Sequence, residues 1–134
     1  MKIAIVTHYF LPKYLAGTEM ATLNIARCLV KKGHKVHIIT WLDEGLPKHS
    51  MQDGVHVHRV FGKNIRFFSH LLYWTKIFMA LREINPDIAH IQNINLGVPG
   101  FLSKKFLKIP YLIYERGFDN LNPHSYIRKM ILKL

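Results

Sequence analysis

Short apolar runs alternate with amphipathic stretches along the chain, and the period of each run names its element. Lys2 to His8 is rich in Ile and Val and does not alternate, which is the pattern of a strand buried on both faces. A loop from Tyr9 to Gly17 follows, punctuated by Pro12 and Gly17. Thr18 then reads as a helix N-cap, with Glu19 in the first turn and Gly33 as the stop. Thr22, Ile25, Ala26 and Leu29 recur at helical spacing, while Asn24, Arg27 and Lys31 face the other way. Lys35 to Thr40 is a second strand, so the first forty residues form a right-handed βαβ unit. Residues 41–54, with Gly45, Pro47 and Gly54, read as a loop. Val55 to Val60 mixes Val with His and Arg, as a strand with one wet face near a sheet edge would.

Arg66 to Ile84 is a long helix with a narrow polar stripe of Ser69, Lys76 and Glu83, and its apolar arc is wider than one core contact needs. Asn85-Pro86 ends it. Asp87 to Ile91 is a fourth strand, Leu96 to Leu107 a helix, and Pro110 to Tyr114 a fifth strand. Glu115 to Asn122 reads as a loop, and His124 to Leu134 as the start of a basic amphipathic helix. This order predicts an α/β fold: a Rossmann-like, doubly wound, mainly parallel sheet with helices on both faces, forming one domain over residues 1–134.

Composition narrows the partners. The chain has 134 residues, about half of them hydrophobic, which suits a globular domain with a real core. The single Cys28 cannot form an intramolecular disulfide, so a reducing compartment is expected, with the thiol inert and buried in its helix. The first residues are too briefly apolar for a signal peptide. The stretch from Phe67 to Leu81 is broken by His70 and Lys76 and is too short to span a bilayer. A net charge of +11 favours polyanions: nucleic acid, anionic lipid or phosphorylated substrates. The basic residues are spread out, and no nucleic-acid motif accompanies them, so no specific nucleic-acid partner is expected.

Ligands of open parallel sheets sit at the carboxyl ends of the strands, and the long first βα loop leads there. It ends at a helix N-terminus, whose free N–H groups suit an anion, with Gly17 allowing close approach. No G-x-G-x-x-G or Walker-type sequence is present, which disfavours dinucleotide and P-loop sites. His8, at the end of the first strand, faces the expected cleft and either contacts substrate or packs. Glu19 is read first as a group serving its own helix terminus, and second as a substrate contact. His56 and His58 share a strand face and His34 and His37 flank a turn, but no Cys or carboxylate completes a metal set, so no metal is expected.

Three segments in the same order resemble glycosyltransferase family 4. They are Ala16-Gly17-Thr18-Glu19 leading into Ile25-Ala26-Arg27-Cys28-Leu29-Val30-Lys31-Lys32-Gly33-His34-Lys35-Val36, then Pro86-Asp87-Ile88-Ala89-His90-Ile91-Gln92, then Ile109-Pro110-Tyr111 with Arg116-Gly117-Phe118-Asp119. The resemblance implies the N-terminal, acceptor-side domain of a GT-B fold. Such enzymes move a sugar from a nucleotide-sugar donor to an acceptor in a cleft between two domains, usually without a metal or other cofactor. It implies that Ala16, Gly17 and Thr18 lie under the donor phosphates and that His90 and Gln92 line the cleft; His8, Glu19, Arg116 and Asp119 are the other acceptor or cleft candidates, from their places at strand and helix ends. It names no catalytic residue.

Three departures stand out. Ala16-Gly17 replaces a frequent Gly-Gly, Gln92 replaces a second histidine, and Glu115-Arg116-Gly117 stands where many members carry a functional histidine. By resemblance the donor-binding C-terminal domain is absent, so this chain alone is expected to lack turnover. The expected partners are a glycan or lipid-linked acceptor, the missing domain or a partner subunit, an anionic membrane surface, and a second copy of the chain. The expected location is cytoplasmic, peripheral on the inner face of a membrane. The aromatic helix 66–84 has three readings: core packing, membrane docking or a dimer face. The other function class is a non-catalytic binding module or a subunit of a split enzyme.

Overall fold

The structure, a computed structural model, describes residues 1–60 and 68–115. Its elements are β1 (Lys2–Val6), α1 (Gly17–Lys31), β2 (Lys35–Trp41), β3 (His49–Gln52), β4 (Val55–Val60), α2 (Phe68–Ile84), β5 (Ile88–Ile91), a 3-10 turn (Ile94–Leu96), α3 (Gly97–Leu107) and β6 (Tyr111–Ile113). They form one six-stranded sheet in the order β3-β4-β2-β1-β5-β6. All neighbours are parallel except β3, which runs antiparallel to β4. The expected Rossmann-like α/β architecture is therefore present.

Alternation along β1 explains the two layers. Ile3 and Ile5 join Leu23, Ala26, Val36, Ile38, Val55 and Val57 under α1. Ala4 and Val6 point the other way and join Ile39, Tyr73, Ile77, Leu81, Ala89, Ile91 and Leu96 under α2 and α3. Both faces of β1 are buried, so its sequence is an unbroken apolar run. Lys2 anchors the sheet's other end, its N–H donating to Asp87 Oδ2 at 2.6 Å and its Nζ to the Ile84 carbonyl at 2.8 Å.

Four expectations are corrected. The helix begins at Gly17, and its N-cap is Ala16, not Thr18. Residues 41–54 hold β3, so β4 lies near the edge as expected but one strand in from it, and its histidine face is half-buried rather than wet. β3 is polar because an edge strand is held by backbone pairing to β4 and buries little. Cys28 is exposed: it lies two residues, about 200°, past Ala26 and so points away from the Thr22–Leu23–Ala26 stripe that meets the sheet.

The end of α1 is as expected. Gly33 adopts φ +84° and donates to the Val30 carbonyl, while His34 donates to the Leu29 carbonyl, a Schellman closure. On the far side, α3 crosses β5 and β6 closely at Gly100, where a Cβ would meet Ile91 Cδ1 and the Tyr111 ring. Among the described residues no helix is long and apolar enough to cross a membrane. The expected helix from His124 to Leu134 lies outside the described residues.

Candidate functional site

The N-terminus of α1 follows the carboxyl end of β1, and Thr22 in its second turn meets Gln92 at the carboxyl end of β5. Ala16 is extended at φ −98° and ψ 176°, and no side chain caps the helix. The first helical bond runs from Met20 N–H to Ala16 O at 3.1 Å. The N–H groups of Gly17, Thr18 and Glu19 therefore precede the helix's own ladder, and an alanine at the cap offers no oxygen to occupy them. Ala16, Gly17 and Thr18 are all exposed. A Cβ on Gly17 would meet nothing within 4 Å. The fold itself does not require glycine there, and the open space lies over the positive end of a fifteen-residue helix.

Glu19 sits in the first turn, on the side leading to the buried Thr22 and Leu23. It makes no hydrogen bond to its helix terminus, contrary to its first reading. Its Oε2 is buried without a hydrogen-bond partner among the described residues. A buried polar oxygen of this kind is normally met by an ordered water, an ion or a ligand.

Gln92 follows β5, is 4% exposed, and lies under α1 at 2.5 Å from Thr22 Oγ1. Thr22 is also 2.8 Å from the Thr18 carbonyl. One hydroxyl hydrogen cannot serve two acceptors. Thr22 Oγ1 stands between Gln92 Oε1 and the Thr18 carbonyl, both acceptors, while Gln92 Nε2 is buried without a partner among the described residues; turning the amide over lets Nε2 donate to Thr22 Oγ1 while Thr22 donates to Thr18 O. Gln92 thus ties α1 to β5 beneath the site, away from open space. His90, half-buried on the same strand face, has its ring 6.2 Å from that of Tyr114.

His8 is half-buried at the end of β1 and stacks on Tyr73 at 5.7 Å. Burial first, and His70 second, push its imidazole down to about 4, so at neutral pH it is an uncharged ring. Tyr73 reaches from α2 to donate to the Thr7 carbonyl at 3.3 Å, and its burial raises the phenol far above its ordinary range. Trp74 Nε1 donates to Asn95 O at 3.1 Å. These bonds fix α2 to the site's rim. On the other side, Glu115 accepts from the Ile94 N–H at 2.6 Å and closes β6 onto the 3-10 turn. Arg116 and Asp119 lie outside the described residues.

Two residues that the sequence reading passed over grip the first loop. Asp43 accepts from Lys13 Nζ at 3.0 Å and from the Tyr14 hydroxyl at 3.3 Å. Arg59, 6% exposed, donates to the carbonyl of Leu11. The signal for Arg59 was its phase: it shares a strand face with Val55 and Val57.

Away from this rim, His37, His49, His56 and His58 cluster on β2, β3 and β4. His37 Nδ1 is 2.9 Å from His58 Nε2, and His58 Nδ1 is 3.2 Å from His49 Nδ1. His37 stacks on His56 at 4.8 Å. His37 pairs across the sheet with β4, not with His34 across the turn. Among the described residues no group of three or more His, Cys, Asp or Glu is arranged to hold a metal ion.

The model of Glycosyltransferase Family 4 matches residues 15–134. An uncharacterized glycosyltransferase of Methanocaldococcus jannaschii is 36% identical over 122 residues, covering 84% of this chain and 30% of that protein. The chain thus spans under a third of this curated relative. Among solved structures, sucrose-phosphate synthase from Thermosynechococcus elongatus superposes with a TM-score of 0.77 at 14% identity, covering 98% of this chain and 39% of that one. MurG of Acinetobacter baumannii gives 0.58 at 17% identity, covering 89% and 37%. At these identities the two structures speak for the fold.

Proposed function

Because the chain belongs to glycosyltransferase family 4, we propose that it forms the acceptor-side part of an enzyme moving a sugar from a nucleotide-sugar donor to a glycan or lipid-linked acceptor. The observation that carries this reading is the uncapped N-terminus of α1 at the carboxyl edge of the sheet, with Gly17 facing open space. When the donor's sugar–phosphate bond breaks, negative charge grows on the departing diphosphate. Preorganised N–H groups and a helix dipole stabilise that charge without reorganising. Neutral His8 and the half-buried Glu19, with its Oε2 unpartnered among the described residues, stand toward the carboxyl edge of the sheet and suit the hydroxyl groups of an acceptor.

The remaining donor contacts come, in this proposal, from a second domain or subunit, and the 134 residues alone do not turn over. No metal enters the scheme; the helix terminus takes the role of the counter-charge. The protein works on the inner face of a membrane. Leu71, Leu72, Met79 and Phe106 are exposed on α2 and α3, with Arg82, Lys104 and Lys105 beside them, which supports docking on anionic lipid.

The test is calorimetric titration of the chain with inorganic pyrophosphate at two salt concentrations. A single saturable site that persists at the higher salt supports the reading. Binding that is unsaturable, or that vanishes with salt as a diffuse +11 charge would make it, removes it.

A further inference from the structure

Arg59 is the one buried lysine or arginine among the described residues. Its neighbours in phase, Val55 and Val57, are apolar core residues under α1. An apolar side chain at position 59 would continue that core at no electrostatic cost. Instead a guanidinium is buried, and no carboxylate lies within ion-pair distance among the described residues. Burying a cation in this way costs stability unless its hydrogen bonds and its position return something.

The hydrogen bonds go to three separate segments. Nη2 donates to the Leu11 carbonyl at 3.2 Å, in the first βα loop. Nη1 donates to the Pro47 carbonyl at 3.2 Å, in the β2–β3 connection, and to Ser50 Oγ at 2.7 Å, on β3. The guanidinium spreads these donors over two nitrogens of a rigid plane; a lysine ammonium also has three donors, but all on one nitrogen at the end of a flexible stem, and cannot span the same acceptors. Register places Arg59 opposite Thr40, at the carboxyl edge of the sheet, and Thr40 in turn donates to the His8 carbonyl at 3.1 Å. The loop is thus held from one side at His8 and Leu11, and from the next connection at Lys13 and Tyr14 through Asp43. Phe10 and Leu11 are sunk into the core between these points. Six residues after Leu11 the chain enters α1 at Gly17.

We propose that Arg59 is a positioning residue for the phosphate-binding end of α1: its guanidinium clamps Leu11 of the first loop to Pro47 and Ser50, and so sets where the free N–H groups of Gly17 and Thr18 stand. The proposal rests on the reading that this helix end takes a diphosphate, but the clamp itself is tested independently of that. Burial draws the guanidinium below its usual range and Asp43 draws it back, so it remains a fixed charge at all working pH values.

The experiment compares the full chain with Arg59→Lys, Arg59→Met and Ser50→Ala, using amide hydrogen exchange by residue and pyrophosphate titration. The clamp predicts that the amides bonded to the loop, Met20 on the Ala16 carbonyl and Trp41 on the His8 carbonyl, exchange at least about tenfold faster in Arg59→Lys, while β1 and β5 amides keep their protection. Pyrophosphate affinity falls by about tenfold in the same variant although its charge is retained. Ser50→Ala, which leaves the Leu11 bond intact, shows a smaller change in the same residues. The clamp is overturned if Arg59→Lys matches the wild type in loop exchange, or if protection falls evenly across β1, β5 and the loop. Should Arg59→Met fail to fold, Arg59→Lys and Ser50→Ala still decide the matter. If wild-type chain binds no pyrophosphate, the phosphate reading fails while loop exchange still reports on the clamp.

Discussion

Gly17→Ala separates a glycine kept for a ligand from one kept for the fold. Gly17 is exposed at the first position of α1, its backbone is not left-handed, and an added Cβ meets no protein atom within 4 Å. Alanine is the better helix former by up to about 1 kcal/mol, so the variant should be as stable as the parent or slightly more so. Binding should move the other way. A phosphate oxygen bound to the helix N–H groups sits about 2.8 Å from nitrogen, and a methyl group beside that nitrogen pushes it outward. Charge-assisted hydrogen bonds are worth roughly 1.5–3 kcal/mol each, so losing the better part of one weakens binding about tenfold or more. The assay is pyrophosphate titration followed by calorimetry, with thermal melts of both proteins. Unchanged affinity would refute the role given to Gly17. So would a fall in Tm, because it would mean that the glycine is needed by the fold.

Acid should destabilise the protein. His8 and His37 are held down to about 4, and His58 is lowered, in each case chiefly by burial. A histidine whose folded pKa lies below its unfolded value of 6.5 keeps its full contribution above pH 6.5 and loses it as pH falls towards 4. For His8 the slope is about 1 kcal/mol per pH unit within that window, and His37 and His58 add to it in the same direction. Urea midpoints measured at pH 7.5, 6 and 5 should drop steeply below 6.5, and a flat profile would contradict the buried, neutral assignment. Gly100→Val should destabilise by about 1–3 kcal/mol through overpacking against Ile91 and Tyr111, read as a lower urea midpoint; an unchanged midpoint would contradict the close packing of α3. Thr22→Val removes the hydroxyl that Gln92 and Thr18 share, and should cost about 1–3 kcal/mol by leaving a buried amide unpaired. Thermal melts check this, and Gln92→Leu made in the Thr22→Val background should recover part of the loss.

The frame of the fold was legible because burial on both faces leaves a plain mark. β1 is an unbroken apolar run, and α1 carries an apolar stripe and a glycine stop that forms the expected closure. β3 was not legible: His49-Ser50-Met51-Gln52 has no apolar phase, because backbone pairing to β4 makes it a strand. The exact start of α1 was missed for a related reason. Threonine is the better cap by chemistry, yet the chain turns two residues earlier than a Thr18 cap would need and caps with Ala16, leaving the helix end open. Cys28 shows that an apolar residue within a helical pattern is not thereby on its buried face. Of the candidate site, Ala16, Gly17 and Thr18 stand at the open helix end, with His8 and Glu19 at the same rim, whereas Gln92 turned out to lie beneath it. Arg59 was readable in principle from its phase with Val55 and Val57, but a charge in a strand is easily taken for a solvent-facing one. What its guanidinium binds depends on Leu11 and Pro47, brought together only by the folded chain.

The most direct test of the central claim is a residue-resolved amide spectrum of the chain titrated with pyrophosphate. The account predicts that the largest shifts fall on Gly17, Thr18 and Glu19, with smaller ones in the loop from Tyr9 to Ala16. Shifts confined to lysine-rich surfaces such as Lys104 and Lys105, with the N-terminus of α1 unmoved, would contradict it.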